Sequence, residues 1–581
     1  VKEKQTDLKQ KCQLHFKRIY GDQLADECMA RLAELIDSYQ FEKQNPVEIN
    51  KLWSQKDHVL ITYADMVTST VDDDRSHLAK QHQFLHYELK NEISTVHILP
   101  FFPSSSDDGF SVVDYRKVDP DYGDWDDIVE LSHEFRIMSD LVINHISRQS
   151  EWFQKFLAGI KPYDKYFIDI PRGTDLSEVT RPRSSSLSTS VKTFEGDKLV
   201  WTTFSEDQKD LNFKNPDVLF ELLDIFFFYI TNGIKVIRMD AVAFIWKELG
   251  TNCIHLPQTH EIIKLFRTLV DHYLPDITLI TETNVPHKEN ISYFGNGDEA
   301  HMVYQFSLPP LLLHALVTEN SSYLTEWVSS LAPLPEGCTY FNFTSSHDGI
   351  GMRPLEGLVP EEELKQLVEE VRSRGGLVSY KENKDKSMSP YELNITYFDA
   401  FATKNGEHTI QLRRYLCSQI MMLSMKGVPG IYFHNLMGTR NDIQGVIRTG
   451  RFRTINRKKW DYDELLNRLW SKGTVSNRIF LRYKEVIRIR KQHPAFNPFG
   501  SQKVYDGGRD YFILERESPD GSEKILVLCN ITLKAKKLDL VAAGLPVDRK
   551  KTYINLLNED TKVEGGFAKF EPCGVYWIKL D

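Results

Sequence analysis

The sequence predicts an α/β chain: a (β/α)8, or TIM, barrel with inserted subdomains and a C-terminal antiparallel β domain. Three observations carry this. After Trp53, eight short apolar runs alternate with helical stretches, the pattern of parallel strands joined by crossover helices. Most of these runs end on a polar or charged residue, as barrel strands do where they deliver side chains to a common mouth. No glycine-rich phosphate loop follows the first run, which weighs against an open doubly wound sheet.

Taken in order, residues 1–52 read as a helical N-terminal extension, with Leu24, Met29, Leu32 and Leu35 at helical spacing. The eight strand candidates are 58–65, 95–101, 140–145, 234–240, 277–283, 300–306, 338–348 and 428–435, so the barrel is expected over 53–165 and 213–500. Segment 166–212 is rich in Ser, Thr, Pro and Arg and too long for an ordinary loop, which predicts an inserted subdomain. A second small insertion is expected at 307–335, and a long excursion over 349–404 precedes the last helix–strand unit. Residues 501–581 carry alternating or continuously apolar runs between Gly/Asp turns, the signature of a small antiparallel β domain.

The 581 residues exceed the ~250–300 at which one core stops growing, so several domains are expected. Acidic residues outnumber basic ones, 82 to 72, without a polybasic block, which argues against nucleic acid or an anionic membrane as partner. The seven Cys form no C-x-x-C pair and suggest neither a disulfide framework nor a zinc site; reduced thiols fit a cytoplasmic setting. Residues 1–18 lack an apolar signal core, and no apolar stretch reaches the ~20 residues of a membrane span.

The chemistry concentrates at the predicted strand ends. In 233–242 a buried strand ends with Arg238 and Asp240 on one face, where the guanidinium can hold the carboxylate ionised. An ordinary ion pair explains these two equally well. Glu282 ends the next strand in apolar surroundings that raise a carboxyl's pKa, as a general acid requires. Two carboxylates on adjacent strand ends can sit at the ~5–5.5 Å of a retaining double displacement. The adjacent His347 and Asp348 suit gripping sugar hydroxyls beside a cationic transition state; a metal site or a core histidine is the alternative, but no second His-rich cluster stands at ligand spacing.

These residues resemble a family. Asn144-His145, Arg238-Met-Asp240, Thr281-Glu282-Thr and His347-Asp348 are similar to the four sequence regions of the α-amylase superfamily (glycoside hydrolase family 13), in order. The resemblance implies Asp240 as nucleophile, Glu282 as acid/base and Asp348 as transition-state stabiliser, with Arg238, His145 and His347 in a glucose subsite. The stretches around Asp65 and Arg457 resemble the sucrose phosphorylases, where such a pair clamps the outer hydroxyls of one terminal glucose. Arg183, with Arg181 as its substitute, and Tyr391 fall where that group keeps its acceptor and phosphate loops.

The chain departs from sucrose phosphorylases proper in its N-terminal extension and in Glu392, where those enzymes tend to carry a neutral amide. The stretches 104–111, 201–208 (which contains Phe204), 280–288 and 438–442 (which contains Arg440) look more like the glucosylglycerate phosphorylases. The implied reaction moves glucose from 2-O-α-glucosylglycerate to inorganic phosphate, with Arg183 or Arg440 meeting the glycerate acid group and Glu392 its hydroxyls. Sucrose or sucrose 6′-phosphate as substrate, an α-glucosidase, and a non-catalytic transporter partner are the alternatives. No metal or other cofactor is implied, phosphate is the co-substrate, and a monomer or homodimer is expected.

Overall fold

The computed structural model describes residues 2–69, 75–383, 386–403 and 406–580. Eight parallel strands close a barrel in chain order: β1 (Val59–Thr62), β2 (Thr95–Ile98), β3 (Arg136–Val142), β4 (Ile234–Asp240), β5 (Thr278–Thr281), β6 (Met302–Tyr304), β7 (Thr339–Phe343) and β8 (Val428–Tyr432). Closure is made by β8, whose Gly430 aligns with Val59 of β1 and with Phe343 of β7. A Cβ at Gly430 would stand 2.4 Å from the Phe341 ring, so the glycine makes room for an aromatic side chain in the core. All eight predicted runs become strands because each is apolar enough to be buried on both faces.

The boundaries differ in two informative places. The third strand begins at Arg136, four residues before the expected start, because its polar Ser139 is buried inside the barrel and looks like loop in the sequence. The seventh ends at Phe343, so His347 and Asp348 stand on the loop beyond it rather than on the strand.

The second small insertion expected at 307–335 is corrected by the structure. It forms two helices, Leu308–Thr318 and Ser322–Ser330, which belong to the barrel's own crossover between β6 and β7. Pro309 and Pro310 suggest a break, but proline fits the first helical turn, whose N–H groups have no partner in any case.

Segment 166–212 forms a hairpin, Ser188–Thr193 with Gly196–Trp201, over a small core of Ile170, Val179, Leu187 and Trp201. It is stitched to the barrel mouth where Gln208–Asp210 pairs with His145–Ser147. The 349–404 excursion forms a three-stranded sheet in which Met388–Asn394 lies between Ile350–Gly351 and Leu377–Glu382. Helices α1 (Lys2–Tyr20) and α2 (Asp22–Ser38) pack on the outer barrel helices: Phe16 stacks on Phe220, and Glu261 holds His15 at 2.8 Å and Arg18 at 3.0 Å. At the other end, six antiparallel strands from Ser501 onward form a sheet whose Trp577 packs on Phe496 and donates to Ser424 Oγ at 2.9 Å.

Candidate active site

Strand alternation along β4 turns Arg238 and Asp240 to the same side. Arg238 Nη1 donates to Asp240 Oδ1 at 2.7 Å and also to Asp140 of β3, while its Nη2 lies 4.0 Å from Glu282 Oε2. Asp140 in turn accepts from His97 Nε2 of β2 at 2.8 Å. Three adjacent strands thereby fix the Asp240 carboxylate through buried, charge-assisted bonds.

Glu282 follows the end of β5 and accepts from the Ala241 N–H at 3.1 Å. Ala241 sits at φ 51°, a left-handed backbone that costs a non-glycine residue ~1–3 kcal/mol. The turn it makes directly after Asp240 brings its N–H to Glu282. Burial pushes both carboxyls up, opposed in each by Arg238, and each carboxylate repels ionisation of its neighbours. The pair titrates as a unit. Arg238 lies 2.7 Å from Asp240 and 4.0 Å from Glu282, so of the two carboxyls it favours ionisation of Asp240 more strongly.

Asp348 faces them from the loop after β7. Burial raises it, but Arg453, His347 and Arg457 outweigh burial and hold its carboxyl well below the usual carboxylate range. Arg453 Nη1 is 2.5 Å from its Oδ1. His145 and His347 flank the site through Phe110, whose carbonyl accepts from His145 Nε2 at 2.9 Å and whose ring stacks on His347 at 4.7 Å. Burial pushes His145 down to about 4 and His347 down to about 3, so both imidazoles are neutral near pH 7.

Of the residues singled out in the sequence, Asp240, Glu282, Asp348, His145, His347, Phe204, Arg183, Tyr391 and Glu392 border one cavity, with Arg238 beneath it. The others do not converge as expected. Asp65 pairs with Lys459, Arg457 pairs with Asp108 while its Nε donates to the His347 carbonyl at 2.8 Å, and neither lines the cavity, so the expected Asp65–Arg457 clamp is split. The cause is the 104–111 loop. Asp107 and Asp108 are both left-handed, at φ 55° and 48°, and Asp207 anchors the loop by accepting from Ser105, Ser106 and Ser111. Arg440 is also outside the cavity, held by Asp399 at 2.9 Å over the Phe398 ring. Glu392 borders the cavity with both of its oxygens already accepting from Arg453, so any acceptor hydroxyl would share them with that guanidinium.

Sequence reasoning missed Arg453, Asp107 and Arg353, all of which border the cavity. The basic density of 448–459 was the available signal for Arg453. The enclosed volume is about 70 Å³, small for a ligand site, because Arg453 reaches Asp348 and Arg183 lies 3.3 Å from Asp107. Among the described residues no group of three His, Cys, Asp or Glu stands where it could hold a metal ion.

Residues 82–347 match the family model of the alpha amylase catalytic domain. A glucosylglycerate phosphorylase of Spirochaeta thermophila is 46% identical over 518 residues, 88% of this chain and 88% of that one. One from Escherichia coli is 41% identical over 574 residues, 98% of this chain and 100% of that one. The crystal structure of sucrose 6F-phosphate phosphorylase from Thermoanaerobacter thermosaccharolyticum superimposes with a TM-score of 0.70 at 25% identity, covering 82% of this chain and 94% of that chain.

Proposed function

The chain belongs to the α-amylase family, and from that premise we propose that it is a retaining α-glucoside phosphorylase acting on 2-O-α-glucosylglycerate. Asp240 attacks the anomeric carbon while Glu282 gives its proton to the departing glycerate oxygen, leaving a glucosyl ester on Asp240. Phosphate then enters the vacated position; one of its oxygens attacks the anomeric carbon, passes its proton to Glu282 and releases Asp240. Two inversions give α-glucose 1-phosphate. Asp348 faces the oxocarbenium-like charge, and His145, His347 and Phe204 surround the sugar.

The observation that carries this reading is the charge around the cavity. A hydrolase needs only water there, whereas a phosphorylase admits an anion beside three carboxylates, and Arg183, Arg353 and Arg453 border the same space. The relatives named above favour glycerate as the second product. Every one of these groups comes from one chain, so a monomer suffices for the site.

The chemistry runs on carboxylates and we assign it no cofactor. Exhaustive chelation should leave the rate unchanged, and a loss restored by calcium would overturn that assignment. No helix among the described residues is long and apolar enough to cross a membrane, and all seven cysteines are free and buried, which favours a reducing cytoplasm. The deciding experiment is phosphate-dependent release of α-glucose 1-phosphate from glucosylglycerate, sucrose, sucrose 6′-phosphate and glucosylglycerol. Faster release from a sucrose would displace the acceptor assignment, and β-glucose 1-phosphate would exclude the mechanism.

A further inference from the structure

Within the phosphorylase reading, on which this inference rests, we propose that Arg353 selects an acceptor bearing a carboxylate, its guanidinium receiving the acid group of glycerate. The charge balance of the cavity points there. Arg238 is committed to Asp140 and Asp240, Arg183 faces Asp107, and Arg453 is divided between Glu392 and Asp348. Among the described residues, Arg353 is the arginine of the cavity wall that makes no ion pair, and its Nε is buried with no hydrogen-bond partner. An unsatisfied buried donor of this kind is a standing cost that an arriving anion relieves.

The local fold holds that guanidinium on a rigid base. Arg353 opens a 3-10 turn just beyond Gly351, which pairs with Glu392. On one side the Met352 N–H donates to the Tyr391 carbonyl at 3.0 Å; on the other the Pro354 carbonyl accepts from Ser307 Oγ at 3.0 Å. Asn284 borders the cavity as well, packed so closely on Gly351 that a Cβ there would lie 2.8 Å from its Oδ1. That Oδ1 is also buried without a partner, an acceptor available to a hydroxyl of glycerate. Arg353 further borders an adjacent hollow of about 740 Å³ lined by Arg181, Lys381 and Lys386, a basic approach for small anions. One unpaired planar guanidinium matches one carboxylate by a two-point contact.

The test loads Asp240 from α-glucosyl fluoride, which supplies neither anion and loses fluoride as the ester forms, and offers glycerate, glycerol or phosphate as acceptor. For the wild type, kcat/KM for glycerate should exceed that for glycerol by more than about tenfold. Arg353→Gln should collapse that ratio at least tenfold and lower phosphate less than glycerate, while Arg353→Lys restores part of it. Asn284→Asp is the second variant: a carboxylate on the cavity wall that Asn284 and Arg353 both border should repel glycerate and collapse the ratio with the arginine still present. A ratio retained in Arg353→Gln and Asn284→Asp overturns the inference. Equal losses for all three acceptors make Arg353 structural, and a loss greatest for phosphate makes it the phosphate site; each overturns it. A wild-type ratio near one overturns the glycerate reading itself, and this inference with it.

Discussion

Arg453 gives Nε and Nη2 to the two oxygens of Glu392, with Nε 3.1 Å from Oε2, and its remaining nitrogen lies 2.5 Å from Asp348. The Asp348 carboxylate is thus held ionised by a cation that is itself half neutralised. Glu392 is 2% exposed, so removing Arg453 leaves a buried charge unpaired.

Arg453→Met should therefore destabilise the fold by about 3–5 kcal/mol, and adding Glu392→Leu should recover much of that loss while activity stays impaired. Urea unfolding of the single and double variants measures the coupling. Additive losses would mean that the pair contributes nothing as a pair.

Much of this architecture was legible in the sequence, for a physical reason. Barrel strands buried on both faces are continuous apolar runs, and the candidate catalytic side chains stand at their ends, so Asp240 and Glu282 could be placed from local order alone. The acceptor side was not legible in this way. Asp107, Arg353 and Arg453 come from three separate loops, and which cation meets which carboxylate depends on loop conformation. Asp108 takes Arg457 away from Asp65 only because the 104–111 backbone turns left-handed there, which no periodicity signals.

Asp240→Asn and Glu282→Gln should fail differently. The first removes the nucleophile and should leave turnover near zero at every pH; the second keeps the nucleophile but removes the proton. Activity in the wild type requires Glu282 protonated and Asp240 ionised. It should fall at alkaline pH as the raised Glu282 carboxyl ionises, and as pH falls it should be lost when Asp240, also raised by burial against the opposing Arg238, takes up a proton. Glu282→Gln should abolish the alkaline limb of kcat/KM, and a limb that persists would assign it to another group.

Acid stability should depend on His145. Its folded pKa of about 4 lies below the ~6.5 of an unfolded imidazole, so protons bind the unfolded chain preferentially. The neutral, buried state is fully stable above pH ~6.5 and loses stability as pH falls towards about 4, by on the order of 3 kcal/mol. His145→Gln, whose amide can still donate to the Phe110 carbonyl, should lose less between pH 7.5 and pH 4.5. Identical acid slopes in urea unfolding would place the titration elsewhere.

Arg183 and Arg440 make the sharpest contrast, because the sequence offers both as anion-binding arginines and the structure separates them. Arg183 borders the cavity, with its guanidinium carbon 5.6 Å from the Phe204 ring centre and one nitrogen 3.3 Å from Asp107. Its link to Asp107 is long enough that an incoming phosphate can compete for it. Arg440 is spent on Asp399 and stacks on Phe398 outside the cavity. Arg183→Ala should raise the KM for phosphate well above any change in KM for the glucoside, reflecting loss of a charge-assisted contact of about 1.5–3 kcal/mol. Arg440→Ala should change both constants by less than about twofold, since Arg440 lies outside the cavity and the buried Asp399 keeps its hydrogen bonds from Gln411 and the Asn441 N–H. A phosphate defect in Arg440→Ala that matched the one in Arg183→Ala would mean that the loop bearing Arg440 closes over the site during the reaction.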